Sequence, residues 1–131
     1  MFINLTNHPV SKWSKEQVEA AEQLAGPAIC LTSHMPIVPP EDSGYEVRTL
    51  AMFVLHTVKQ TLDTMDSCNT YCLVQGEYTM TYALVNLLQQ EGYVCVTATT
   101  NRDVVETIQE DGSVKKESVF RFVRFREYAV Y

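Results

Sequence analysis

The stretch from Thr70 to Gly92, TYCLVQGEYTMTYALVNLLQQEG, constrains the fold of this chain more than any other. Tyr71 to Val74 is a short apolar run, Gly76 permits a tight turn, and Tyr82, Leu84, Val85, Leu87 and Leu88 then recur at helical spacing. A strand feeding directly into a helix is a βα unit, which needs a parallel neighbour and a sheet covered on both faces. In open sheets of this kind ligands bind beyond the carboxyl ends of the strands, where backbone N–H groups at a helix start can face an anion. Gly76, Glu77 and Thr79 are the first site candidates on that ground. The same residues also read as plain structure: glycine for a close turn, glutamate at the positive helix end and a solvated threonine.

The unit repeats along the chain. Phe2 to Thr6 (FINLT) reads as a strand whose Phe2, Ile3 and Leu5 cannot share one face, so it is expected to be central and buried on both sides. Asn7, His8 and Pro9 end it. Ser14 opens a capping box with Gln17, and Val18, Ala21 and Leu24 mark the apolar side of a helix that stops before Gly26-Pro27, with Trp13 stapled onto Val18. Ala28 to Leu31 is a second strand. Pro36, Pro39 and Pro40 place a long loop after it. From Tyr45 to Met65 a three-to-four-residue apolar repeat predicts a long amphipathic helix, with His56 on its surface or satisfied in its core.

Tyr93 to Thr97 is expected as a fourth parallel strand that ends in the turn A-T-T-N-R, residues 98 to 102. Val104 to Ile108 and Val119 to Phe125 follow as a hairpin across Asp111-Gly112. Phe120 and Phe122 are in one phase and Phe125 in the other, which predicts a bulge near Val123 or burial of both faces. The sum is an α/β Rossmann-like three-layer sandwich, a mainly parallel sheet with a C-terminal β-hairpin, in a single domain over residues 1–131. A chain of 131 residues with 46% hydrophobic content can bury one core. No run is long enough to span a membrane and no export signal opens the chain, so a cytoplasmic protein with reduced cysteines is expected.

Absent signatures remove several chemistries. There is no dinucleotide G-x-G-x-x-G, no phosphate-binding G-x-x-x-x-G-K-[ST] and no G-x-S-x-G nucleophile elbow. His8, His34 and His56 lack metal-ligand spacing, so neither a metal nor another cofactor is expected. A net charge of −6 argues against long nucleic acid but not against a small anion held by a few arginines. Polar residues fall at successive strand ends: Asn7 and His8, then Thr32, Ser33 and His34, then Gly76, Glu77 and Thr79, then Thr99, Thr100 and Arg102. Arg121, Arg124 and Arg126 cluster near the C-terminus, where they also read as solvent-facing charges of a hairpin. Such a rim suits a nucleotide-like ligand bound by Asn7, Ser33, Gly76, Thr79, Thr99, Thr100 and Arg124. It also permits metal-free phosphodiester transfer, with His8 or Glu77 moving the proton and Arg102 stabilising developing charge. His8 beside Pro9 can equally serve only to shape the turn.

NLTNHPVSKW with the following E-Q-x-x-A-A, the central GEYTMTYALVNLL, the segment TATTNR and the terminal FRFVRFREY together resemble a small group of prokaryotic proteins encoded beside CRISPR systems. The pattern is similar to the CRISPR-associated Rossmann fold, or CARF, domains. These bind cyclic oligoadenylate messengers of type III systems at a two-fold dimer interface, and some, the ring nucleases, cleave the messenger without a metal. The resemblance implies a cyclic oligoadenylate ligand, a homodimer and a ring-nuclease activity in antiviral defence, and assigns no catalytic residue. A non-catalytic cyclic-nucleotide regulator and an interaction protein pairing through Val119 to Tyr128 are the alternatives.

Overall fold

Strand β1 (Phe2–Leu5) is buried along its whole length, as the two-sided apolar pattern of FINL requires. In the computed structural model, which describes residues 1–26, 30–33 (backbone only), 35–62 and 70–131, it lies between two parallel neighbours. These are β2 (Cys30–Ser33) and β3 (Tyr71–Val74), each in register with Phe2 to Leu5. Strand β4 (Val94–Ile108) pairs parallel with β3, and β5 (Val114–Glu127) pairs antiparallel with β4. The sheet order is therefore β2-β1-β3-β4-β5, and the order reverses between β1 and β3.

Helix α1 (Lys15–Ala25) covers one face. It starts where Gln17 N donates to Ser14 Oγ, and Gly26 turns the chain at φ 76°. Its Ala21 packs with Phe2, Trp13, Leu73, Val96 and Phe125, and Val18 sits beside the same cluster as Trp13. Helices α2 (Gly44–Leu62) and α3 (Tyr78–Gln90) cover the other face over Ile3, Leu5, Cys72, Val74 and Cys95. The result is a Rossmann-like three-layer sandwich with a mainly parallel sheet and a C-terminal hairpin. Among the described residues no helix is long and apolar enough to cross a membrane. Cys72 and Cys95 are opposite each other on β3 and β4 as free, buried thiols. Burial, with a smaller contribution from neighbouring Cys95, pushes the Cys72 thiol far above its ordinary value, and burial pushes Cys95 up to about 12. Neither is suited to thiolate chemistry. Cys68 and Met65 lie outside the described residues, as does Ala28 at the expected start of β2.

Two expectations are corrected. Tyr82 does not belong to the apolar face of α3; it is 76% exposed, while Met80, Leu84, Val85 and Leu88 are buried. More consequentially, A-T-T-N-R is not a turn. β4 runs unbroken through Ala98, Thr99, Thr100, Asn101 and Arg102, because β-branched threonines are good strand formers and β5 supplies a ladder partner at every step. Of the two alternatives for the hairpin the bulge is the one that occurs: Thr99 is opposite Arg124 and Thr100 opposite Phe122, which leaves Val123 as the extra residue. That one-residue slip returns Phe125 to the face of Phe122, and their ring centroids are 5.0 Å apart. Phe125 also lies 5.0 Å from Phe2 and 6.3 Å from Trp13.

The hairpin outgrows the sheet. β3 pairs with β4 only as far as Val96, and Gln75 extends that seam by one step, its amide bonding Ala98 N and O at 3.2 and 3.5 Å. Beyond Ala98 the two strands form a ribbon that, at about 3.3 Å per residue, runs roughly 30 Å past the carboxyl ends of β1 and β3. It closes at Gly112, φ 84°, with Ser113 N bonded to Asp111 Oδ1.

Because the aromatic cluster ties the hairpin to β1, Phe125→Ala should lower unfolding free energy by about 3–5 kcal/mol in urea titrations. Val123→Ala at the exposed bulge should change it by no more than about 0.5 kcal/mol.

Candidate functional site

Buried polar groups are costly unless bonded, so a polar pair on and just after the interior strand β1 needs a reason. Asn4 is fully buried on β1 and Thr6 nearly so. Thr6 Oγ1 donates to Asn4 Oδ1 at 2.7 Å and accepts from His8 N at 3.0 Å. Asn4 Nδ2 and Trp13 Nε1 both donate to the His8 carbonyl, at 2.8 and 3.2 Å. Three side chains, Asn4, Thr6 and Trp13, thus hold the backbone N–H and carbonyl of His8. The β1–α1 connection is fixed, and the His8 imidazole is left exposed at the carboxyl end of β1.

That point is the reversal of strand order, where β1 leads to α1 on one face and β3 leads to α3 on the other. A crevice is the geometric consequence. It measures about 570 Å³, within the range of roughly 300–1,000 Å³ usual for small-molecule sites. Thr6, Asn7, His8 and Lys12 form one side, Gln75 and Gly76 another, and Ala98, Thr100, Phe120 and Phe122 of the ribbon a third, with Trp13 beneath. Gly76 answers to packing rather than to the turn, since its φ is not positive and a Cβ there would lie 2.9 Å from Met35 Cγ and 3.1 Å from Met35 Cε.

Of the residues expected from sequence, Asn7, His8, Gly76 and Thr100 meet in this cleft. The other described candidates do not line it. Glu77 is the N-cap of α3: its carboxylate accepts from Met80 N at 2.8 Å and from Thr79 Oγ1 at 2.5 Å. The Thr79 hydroxyl bond, with Met80 N second, holds the Glu77 carboxyl below its usual range. Such a group stays ionised and engaged, so the plain reading of Glu77 and Thr79 as helix-start residues accounts for both. Thr79 opens instead onto a hollow between α2 and α3, beside Arg48 and Tyr82.

The unbroken course of β4 displaces the remaining candidates. Thr99 and Arg124 are opposite each other on the face away from the cleft, where Thr99 Oγ1 bonds the Arg124 backbone N and O at 3.2 and 3.1 Å. Arg102 shares the cleft face but stands beyond Thr100, where its Nε donates to Ser118 Oγ at 3.0 Å. Arg121 is on the far face, paired with Asp103 at 2.8 Å, and Arg126 is on that face too, opposite Thr97. Ser33 ends β2 opposite Leu5, with its side chain outside the described residues, and His34 lies outside them altogether.

Lys12, Gln75, Phe120 and Phe122 were not among the sequence candidates. The alternating F-R-F of the hairpin was the available signal for the two aromatic residues; Lys12 and Gln75 carry no motif. Among the described residues no cluster of His, Cys, Asp and Glu could hold a metal.

The model of a family described as the uncharacterized protein MJ1673 family matches residues 1–126. The uncharacterized protein MJ1673 of Methanocaldococcus jannaschii is 31% identical over 77 residues, which is 59% of each chain, so the match spans less than two thirds of that relative. No solved structure matches.

Asn4→Leu should leave the His8 carbonyl and Thr6 hydroxyl short of a partner and cost about 1–3 kcal/mol in urea titrations. Glu77 has a lowered folded pKa, so its stabilising effect is full above the unfolded carboxylate range and is lost as pH falls through the folded value. The stability gap between wild type and Glu77→Ala should therefore be widest at neutral pH and narrow on acidification below about pH 4, followed by thermal melts.

Proposed function

Since the chain belongs to the uncharacterized MJ1673 family, whose description names no activity, we propose from its geometry and its CARF resemblance that it binds cyclic oligoadenylate and cleaves it without a metal. The observation that carries the reading is the meeting of His8, Lys12, open strand-end backbone and exposed Phe120 in one nucleotide-sized cleft at the strand-order reversal. Bases stack on aromatic faces, a contact worth about 1–3 kcal/mol each, and Phe120 offers a face that is 66% exposed. Lys12 supplies the positive charge for a phosphate, in place of the arginines that the sequence had suggested.

In this reading a ribose 2′-oxygen attacks the adjacent phosphorus as the bond to the 5′-oxygen breaks, leaving a 2′,3′-cyclic phosphate and a free 5′-hydroxyl. His8 accepts the 2′ proton, water protonates the departing 5′-oxygen, and Lys12 offsets the extra charge on the phosphoryl oxygens. A cleft of this size holds one or two nucleotides rather than a whole ring, which supports a homodimer that presents two clefts to one ligand. The place of action is the cytoplasm, in type III CRISPR defence.

A second reading is a non-catalytic regulator sharing the same cleft. It is favoured by one observation: with Glu77 committed to α3, His8 and Lys12 are the only ionisable side chains lining the cleft among the described residues.

Incubation with cyclic tetra- and hexa-adenylate followed by chromatography separates the readings. Linear products bearing a cyclic phosphate are expected from wild type. His8→Ala should slow their formation by about 10²–10⁴-fold while retaining binding. Lys12→Ala should weaken binding by roughly tenfold or more, read by calorimetry. Bound but uncut ligand would establish the regulator, and the absence of any binding would end both readings.

A further inference from the structure

Among the described residues strand β5 is the outer edge of the sheet for its full length, Val114–Glu127, and its partner β4 has no other strand neighbour past Ala98. A two-stranded ribbon standing alone is marginal in water, and a long edge with exposed apolar side chains is a template for a further strand. Val114, Val119, Phe120 and Val123 are all more than a third exposed along it. We infer that β5 pairs antiparallel with β5 of a second copy across a two-fold axis at Arg121, making one continuous sheet from two five-stranded ones. The inference supplies the surface for the homodimer of the preceding reading and rests on that reading for its meaning at the cleft.

The charge pattern of the strand selects this register. Setting Lys116 opposite the partner's Glu127 places Glu117 opposite the partner's Arg126, two attractive pairs that the symmetry repeats on the other side. Ser118 then meets the partner's Phe125, and Val119 the partner's Arg124. Members of each pair lie on the same face of their own ribbon, as pairing requires: Lys116, Ser118, Phe125 and Glu127 on the cleft face, Glu117, Val119, Arg124 and Arg126 on the other. Continued inward, this register would set Phe120 against the partner's bulged Val123. The bulge absorbs that step, so Phe120 meets the partner's Phe122 and Arg121 meets its own copy at the axis. Arg121 can tolerate the axis because Asp103 neutralises it at 2.8 Å.

Both clefts then open on one face of the joined sheet. Phe120 and Phe122, which line each cleft, become direct cross-strand neighbours over the axis, so the aromatic walls of the two sites merge. A ligand with two-fold symmetry would be matched by such a paired site.

Sedimentation equilibrium and oxidative cross-linking test the pairing. Wild type should be a dimer. Arg126→Glu and Glu117→Arg should each weaken dimerisation by about tenfold, and the double variant should restore it. Arg121→Cys should give a disulfide-linked dimer under air oxidation, with Thr107→Cys as the uncross-linked control. A monomeric wild type, unchanged dimerisation in both single variants, failure of the double variant to recover, or no cross-link at 121 would overturn the inference. A dimer insensitive to these changes would leave the cleft reading intact, whereas a charge-sensitive dimer that binds no cyclic adenylate would sink the cleft reading alone.

Discussion

Covering β1 on both faces is the constraint from which the rest of the structure follows. A strand with Phe2 packed toward α1 and Ile3 and Leu5 packed toward α2 and α3 must sit inside a three-layer sandwich, and the chain must leave its neighbourhood on both sides. The strand on one side of it leads into one helical layer and the strand itself into the other, so the sheet opens at its carboxyl end between β1 and β3. Asn4 is the polar exception on that strand, and its burial is offset by bonds that fix His8. The feature that most strongly locates the site is thus a packing feature of the core.

The second determinant is the length of β4 and β5. Had β4 ended with β3, the cleft would have been open on the ribbon side, and Phe120 and Phe122 would have been absent from it. The bulge at Val123 makes the extension compatible with a single core, because it lets Phe125 pack under α1 while Phe120 and Phe122 continue toward the cleft along the same face. Gln75 ties the extension to the parallel part through the Ala98 backbone, so the wall moves with the strands that carry the rest of the site.

How far the sequence disclosed this depended on what each signal reported. Two-sided burial in FINL, the Ser14 cap, the α2 repeat, the Asp111-Gly112 turn and the bulge are local consequences of side-chain periodicity or backbone preference, and each was legible. A-T-T-N-R was misread because a solvated ribbon exposes both faces, so its strand carries polar residues without the alternation that marks a half-buried one. That error moved Thr99, Arg102 and Arg124 away from the expected rim. The pairing of Glu77 with Met80 N was foreseeable as a cap, yet the same residue in the same place also fits a ligand site, and periodicity alone does not separate the two.

The arginines decide how the two halves of the functional reading fit together. Three of them, Arg121, Arg124 and Arg126, lie on the face of the ribbon opposite the cleft, so none can reach a phosphate bound beside His8. In the β5–β5 pairing proposed above, Arg126 falls opposite an acidic residue of a symmetry mate, Arg121 carries its own counter-ion, and Arg124 is opposite Val119. On that proposal a chain of net charge −6 uses this cluster of cations to select a register between copies, and leaves Lys12 to meet the anionic ligand. Charge that looked like a binding site in one dimension becomes, once β4 is continuous, the feature on which the proposed joining of two incomplete sites on a common face depends.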